Sequence, residues 1–173
     1  KNIENRTWHF SEKHDTIFMK IQSWQKPKSP KKSTAAKNVV VLEEAFPIPQ
    51  FNRRTRKILA YLPPDYEESN RRYPVVYLHD GQNIFDDATS FAGEWGVDET
   101  LNKLFVEKGT ALIVIATENG QEERLNEYTP WKNEEYGGGE GDLYLEFIVK
   151  NLKPYVDQKL RTKYGQWNTG IMG

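Results

Sequence analysis

The segment His79-Asp80-Gly81-Gln82 directly follows the apolar run Val75-Val76-Tyr77-Leu78. A tight, glycine-containing turn at a strand end can present a backbone N–H to a developing alkoxide. Gln82, just after Gly81, is the best-placed donor. The same residues also read as an ordinary polar turn leaving a strand, so the segment by itself leaves both readings open. No nucleophile stands beside it. There are no cysteines, which excludes a thiol nucleophile, a disulfide framework and thiolate metal sites. The histidines are His9, His14 and His79, the first two lie before a charged, proline-bearing stretch, and Ser90 lacks flanking glycines. No self-contained Ser-His-Asp set can be read from these. His79 with Asp80, Asp86 and Asp87 supplies a single imidazole where a hydrolytic metal site wants several converging ligands. The pairs Glu43-Glu44, Glu67-Glu68, Glu122-Glu123 and Glu134-Glu135 read as solvated faces instead of an acid and base flanking one glycosidic bond. Gly137-Gly138-Gly139-Glu140-Gly141 lacks the Lys-Ser/Thr ending of a phosphate cradle and reads as a flexible lead-in to a helix.

Residues of this kind act only if strands and helices hold them. The runs Val75-Val76-Tyr77-Leu78 and Ala111-Leu112-Ile113-Val114-Ile115-Ala116 show no polar alternation, as expected of central parallel strands covered by helices on both faces. Between them Val97, Leu101, Leu104 and Phe105 recur at helical spacing, and Gly109 stands where a left-handed cap ends a helix. Tyr144, Phe147, Ile148, Leu152 and Tyr155 predict a further helix, capped by Asp142 and kinked at Pro154. Residues 39–44 and 57–62 read as an antiparallel hairpin, and 167–173 as a closing strand. Upstream, Trp8-His9-Phe10 and residues 16–25 read as strands. The intervening Lys26-Pro27-Lys28-Ser29-Pro30-Lys31-Lys32-Ser33-Thr34 has the composition of an extended tether, with a basic patch for an anionic partner as the alternative. The order predicts an α/β domain with a mainly parallel sheet. Ligand sites in such sheets lie beyond the carboxyl ends of the strands. That rim takes residues 79–91, 117–141 and whatever follows Gly173, and the second of these is too long for a plain connector.

Several strings carry a resemblance. They are Tyr61-Leu62-Pro63-Pro64-Asp65-Tyr66, Tyr73-Pro74-Val75-Val76-Tyr77-Leu78-His79-Asp80-Gly81, Gly93-Glu94-Trp95-Gly96-Val97-Asp98, Glu127-Tyr128-Thr129-Pro130, the helix from Tyr144 to Val156, and Asn168-Thr169-Gly170-Ile171-Met172-Gly173. Together they make residues 50–173 similar to the esterase D-like family of α/β-hydrolase-fold esterases, which includes enterochelin and feruloyl esterases. The resemblance implies an oxyanion hole from the backbone of Gly81 and Gln82, and a substrate cleft involving His79, Asp80, Trp95, Arg124, Tyr128 and Trp131. Arg124, Tyr128 and Trp131 combine a fixed charge with two amphipathic rings, which suits an ester of an aromatic acid or a sugar, although each suits packing equally well. Gly173 would open the G-x-S-x-G elbow. The nucleophilic Ser is then expected just after Gly173, with the triad acid and His further on, so none of the triad lies in this sequence. No cofactor or metal is implied.

The expected organisation is residues 1–25 as the end of a preceding β-rich domain, 26–38 as a linker, and 39–173 as the N-terminal part of an esterase domain, cut at the strand before the elbow. The expected function is hydrolysis of a small-molecule or saccharide-linked carboxylic ester through an acyl-enzyme. The alternative is a non-catalytic carbohydrate-binding or interaction module on the same scaffold, which an aromatic content of 13% with 5 Trp would suit. A net charge of -1 lacks the basic footprint of nucleic-acid binding, and no apolar run approaches a membrane span. The opening Lys1-Asn2-Ile3-Glu4 has neither an initiator Met nor a signal-like stretch, so a longer protein is expected. The compartment and the oligomeric state stay open, the resemblance being compatible with a periplasmic or secreted protein.

Overall fold

The computed structural model describes residues 31–173. The strands expected at Trp8-His9-Phe10 and 16–25, and the first part of the tether, lie outside the described residues. Five strands form one mixed sheet in the order β1-β2-β4-β3-β5. They are β1 (Val39–Pro47), β2 (Thr55–Tyr61), β3 (Val75–Leu78), β4 (Ile113–Thr117) and β5 (Thr169–Met172). β1 and β2 form the expected antiparallel hairpin, with Val39 opposite Tyr61. β2 joins β4 antiparallel. β3 runs parallel to both β4 and β5 and so sits between them.

Side-chain alternation divides the core between the two faces of the sheet. Ile113 and Ile115 of β4, with Val75 and Tyr77 of β3, pack beneath Tyr144, Phe147, Leu152 and Val156. Val114, Ala116 and Leu78 point the other way, against Ile84, Phe85, Val97 and Leu101. The unbroken apolar runs follow from this two-sided burial: in β4 every residue is buried.

α1 (Val97–Lys108) carries the chain from β3 to β4 and ends at Gly109, whose φ of 67° is the left-handed cap that glycine permits without a Cβ clash. The return to β5 uses α2 (Arg124–Tyr128), α3 (Gly141–Phe147) and α4 (Lys153–Lys159). Between α3 and α4 lies a π-helical turn, Ile148–Leu152. Pro154, at the start of α4, cannot donate a main-chain hydrogen bond, and the expected break takes the form of this widened turn just before it. Asp142 does not cap. Glu140 occupies the cap position without a side-chain bond, and Asp142 lies one step inside the first turn, where its charge opposes the helix dipole.

The glycine run before α3 is ordered, contrary to the flexible lead-in expected of it. Asn126 accepts the Gly138 amide at 2.7 Å, and the carbonyl of Thr129 accepts those of Gly139 and Gly141. The end of the tether is also fastened to the domain. Asp86 accepts hydrogen bonds from Ser33 and Thr34, Lys31 pairs with Asp87 at 2.9 Å, and the Ala36 amide donates to Asp98 at 2.7 Å. Among the described residues, no helix is long and apolar enough to cross a membrane.

Candidate active site

At the carboxyl end of β3 the chain turns sharply. Asp80 adopts φ 54° and ψ 45°, a left-handed conformation that is costly for a residue with a Cβ. Asp is one of the few residues that tolerates it, and here its side chain is held from three directions. Arg124 Nε and Nη2 each donate to one carboxylate oxygen at 2.7 Å, and Asn119 Nδ2 donates to Oδ1 at 2.6 Å. Those hydrogen bonds from Arg124 hold the Asp80 carboxyl below the usual carboxylate range, against the opposing effect of burial. The strained turn leads into a single 3-10 turn, Gly81–Asn83. Among the described residues neither the Gly81 nor the Gln82 amide donates within a loop or turn. They are the unpaired donors that any helical start leaves.

Gly81 is buried directly under the end of β4. A Cβ there would stand 2.8 Å from the carbonyl carbon of Thr117 and 2.9 Å from that of Ala116. Only glycine lets the turn sit this close, and the closeness sets where the following amides point.

β5 brings Gly173 to the same rim. The carbonyl of Met172 accepts the His79 amide at 3.2 Å. A Cβ on Gly173 would meet His79 Cδ2 at 2.5 Å and its Cβ at 2.9 Å. The turn after β3 and the end of β5 are therefore neighbours.

Beside them opens a cleft of about 340 Å³, lined by His79, Asp80, Arg124, Tyr128, Tyr144 and Gly173 among others. Its floor is aromatic: the rings of His79, Tyr128 and Tyr144 lie 5.1–5.4 Å apart, centroid to centroid, in tilted pairs. His79 Nδ1 is 3.0 Å from the Tyr144 hydroxyl. Burial lowers the His79 pKa and outweighs the nearby Asp80, while burial raises both the Tyr128 and Tyr144 hydroxyls. These rings are thus uncharged near neutrality, and Arg124, whose guanidinium lies 5.1 Å from the Tyr128 ring centre, is the cation at the mouth. A larger open depression on the far side of the Asp80–Arg124 pair is lined by Gln82, Asn83, Ser90, Phe91 and Asn119.

Of the residues singled out from the sequence, His79, Asp80, Arg124 and Tyr128 meet in the cleft beside the Gly81–Gln82 turn. Trp95 and Trp131 do not line it. Their side chains are 57% and 79% exposed, outside the cleft wall. The Trp95 amide nevertheless ties its loop to the turn through Asn83 O at 2.9 Å. Ser90 bonds to Asp87, and among the described residues it has no histidine partner.

The sequence reading missed three contributors. Tyr144 read only as part of a core stripe, yet a tyrosine in a fully buried stripe signals a hydroxyl in need of a partner. Asn119, which closes around Asp80, gave no signal. Glu127 is wholly buried under the cleft and pairs with Arg56 and Arg54. Arg54 also reaches Glu123 at 3.1 Å and Glu140 at 2.6 Å. This network fastens the loop carrying Arg124 and Tyr128 to the start of β2.

Comparison with known proteins identifies the family and the fold. A family model described as "Putative esterase" matches residues 50–173. The uncharacterized protein YbbA of Bacillus subtilis is 28% identical over 124 residues, covering 68% of this chain and 46% of that protein. An IroE-like serine hydrolase from Shewanella oneidensis superposes with a TM-score of 0.50 at 27% identity, covering 64% of this chain and 36% of the other. The BES protein from Bacillus cereus shares the fold, with a TM-score of 0.63 at 16% identity over 86% of this chain and 55% of that one. The chain thus spans less than half the length of the curated relative it matches.

Proposed function

Since the chain belongs to the family described as Putative esterase, with the α/β-hydrolase type of sheet and flanking helices, we propose that the whole protein hydrolyses a carboxylic ester through a serine nucleophile. In this reading the Ser follows Gly173 on a strand-to-helix elbow, and its triad acid and His come later in the chain. The Ser attacks the ester carbonyl while the His takes its proton. The tetrahedral oxyanion is held by the Gly81 and Gln82 amides, and the alcohol leaves with a proton returned from the His. Water then releases the acid from the acyl-enzyme.

The single observation that carries the reading is the contact of Gly173 with His79, which puts the residue after β5 next to the turn bearing the two amides. The description of the Shewanella relative as a serine hydrolase supports the choice of nucleophile. The aromatic floor and Arg124 favour an ester whose acid or alcohol carries a ring. Trp95 and Trp131, exposed beyond the cleft, suit a saccharide attached to it. We also assign residues 39–173 to the esterase domain, 26–38 to a linker and 1–25 to the end of a preceding β-rich domain.

The test is turnover of a p-nitrophenyl ester by the full-length protein, together with labelling by an alkyl phosphonate and mass spectrometry of the modified peptide. The expected result is hydrolysis, with the label on a Ser just after Gly173. No turnover and no label would favour the non-catalytic binding module.

A further inference from the structure

Three carboxylates gather where the loop after the Gly81–Asn83 turn runs into α1. One oxygen from each of Glu94, Asp98 and Glu99 lies within 4.8 Å of the others. Calcium–oxygen bonds of about 2.3–2.6 Å allow two ligands of one ion to stand up to about 5 Å apart, so the spacing suits a shared ion once the side chains close slightly on it. Among the described residues none of them is paired with a Lys or Arg.

Acidic residues at a helix start are common, and water screens them when they are exposed. Asp98 is different because it is fully buried. Its Oδ2 accepts the Ala36 amide at 2.7 Å. Its Oδ1 is buried with no hydrogen-bond partner, as is Oε2 of Glu94. Glu99 is folded back over the turn, its Oε2 standing 3.4 Å from where a Cβ on Gly96 would be. A buried carboxylate without a positive partner is strongly disfavoured. Two buried oxygens, Asp98 Oδ1 and Glu94 Oε2, are thus left without a donor in one small cluster.

We propose that Glu94, Asp98 and Glu99 bind a hard divalent cation of the calcium class, with water completing its shell. An all-carboxylate set without imidazole or thiolate selects such an ion over zinc or copper. The ion is structural, since none of the three residues lines the cleft. It would join the tether, through Ala36, to the loop of Glu94 and the first turn of α1. The same loop holds the oxyanion turn by Trp95 N to Asn83 O at 2.9 Å, so fixing one end steadies the other. The family resemblance implied no metal, and this site is an addition to that reading, independent of the ester chemistry.

Calorimetric titration of the metal-stripped full-length protein with CaCl2, and separately with MgCl2 at matched ionic strength, tests the proposal. One ion per chain is expected, with Kd of about 10⁻⁴–10⁻³ M, the range of weak extracellular-type sites. Thermal unfolding in about 10 mM CaCl2 should then occur several degrees higher than in chelator. Glu99→Gln, at an exposed position that tolerates change, and Glu94→Gln should each weaken CaCl2 binding about tenfold or more and remove most of the thermal shift. Asp98→Asn is the less informative variant, because a buried residue that holds the Ala36 amide can fail by misfolding. Absence of saturable binding for both salts, or binding that neither glutamate variant weakens, would overturn the proposal.

Discussion

Gly81→Ala probes the proposed oxyanion turn most directly. The added methyl would stand 2.8–2.9 Å from three main-chain atoms at the end of β4, contributed by Ala116, Thr117 and Glu118. Ordinary contact begins at 3.4 Å, so the turn must retreat by roughly 0.6 Å. Strand backbone in the centre of a sheet does not yield as a flexible side chain would, so the displacement falls on residues 80–83, which carry the amides. Overpacking of this kind costs about 1–3 kcal/mol, which for a chain of this size lowers Tm by about 2–4 °C per kcal/mol. The effect on catalysis should be larger than the effect on stability. Misplacing a catalytic group by about 1 Å can cost 10²-fold, and loss of one oxyanion donor about 10²–10³-fold in kcat. If the proposed ester hydrolysis holds, the full-length Gly81→Ala protein is therefore expected to show kcat on p-nitrophenyl acetate lowered about 10²-fold, with KM changed less than about threefold. A kcat within about threefold of wild type, alongside the expected fall in Tm, would refute the assignment of these amides to the oxyanion hole.

Three further outcomes follow from the surrounding structure. Glu127→Ala leaves Arg56 and Arg54 facing each other without their shared carboxylate, and urea unfolding should show a loss of about 3–5 kcal/mol. A loss below about 1 kcal/mol would mean the network contributes no more than a surface pair. His79 and Asp80 should each contribute a step of stability loss on acidification, read as the difference in unfolding free energy between wild type and a variant lacking the group, from about pH 8 to pH 3. His79 has a lowered folded pKa, so its contribution is full above the unfolded value of about 6.5 and is lost as the pH falls below it, because the unfolded state binds the proton first. Asp80 also has a lowered folded pKa. Its contribution persists to about pH 4 and is lost as the pH falls further, so Asp80→Asn should remove only the lower step. Finally, β5 pairs with β3 alone among the described strands, with Ile171 and Met172 more than half exposed. The isolated 173-residue polypeptide should therefore self-associate in light scattering, and a monodisperse sample with a cooperative thermal transition would contradict this.

The sheet was readable because two-sided burial leaves a plain mark. The apolar runs of β3 and β4 can hardly be anything but central strands, and Gly109 closes α1 where helical spacing predicts. Strand ends were less legible: β1 continues to Pro47, past the expected residue 44, because pairing with β2 continues through bulges that leave no compositional trace. The site divides in the same manner. His79, Asp80, Arg124 and Tyr128 were visible as polar or amphipathic residues in rim segments. Asn119, Glu127 and Tyr144 act through partners some 40 to 73 residues away in sequence, and no local pattern encodes those meetings. Trp95 and Trp131 show the opposite failure: aromatic type suggested a cleft, and only the fold shows that their rings face solvent beyond it.

The parallel ladder between β3 and β5 pairs Val75 with Thr169 and Leu78 with Met172. Each step along such a ladder is about 3.3 Å, and a slip of one residue would also turn every side chain to the opposite face. Where the chain emerges beside His79 is thus dictated by a ladder of four residue pairs, in which β5 takes its register from the largely buried β3. Substitutions in residues 118–140 that spare Asn119 and Arg124, which hold the Asp80 turn, and Glu127, which anchors the loop, can remodel the cleft wall while the spacing between the two strand ends holds.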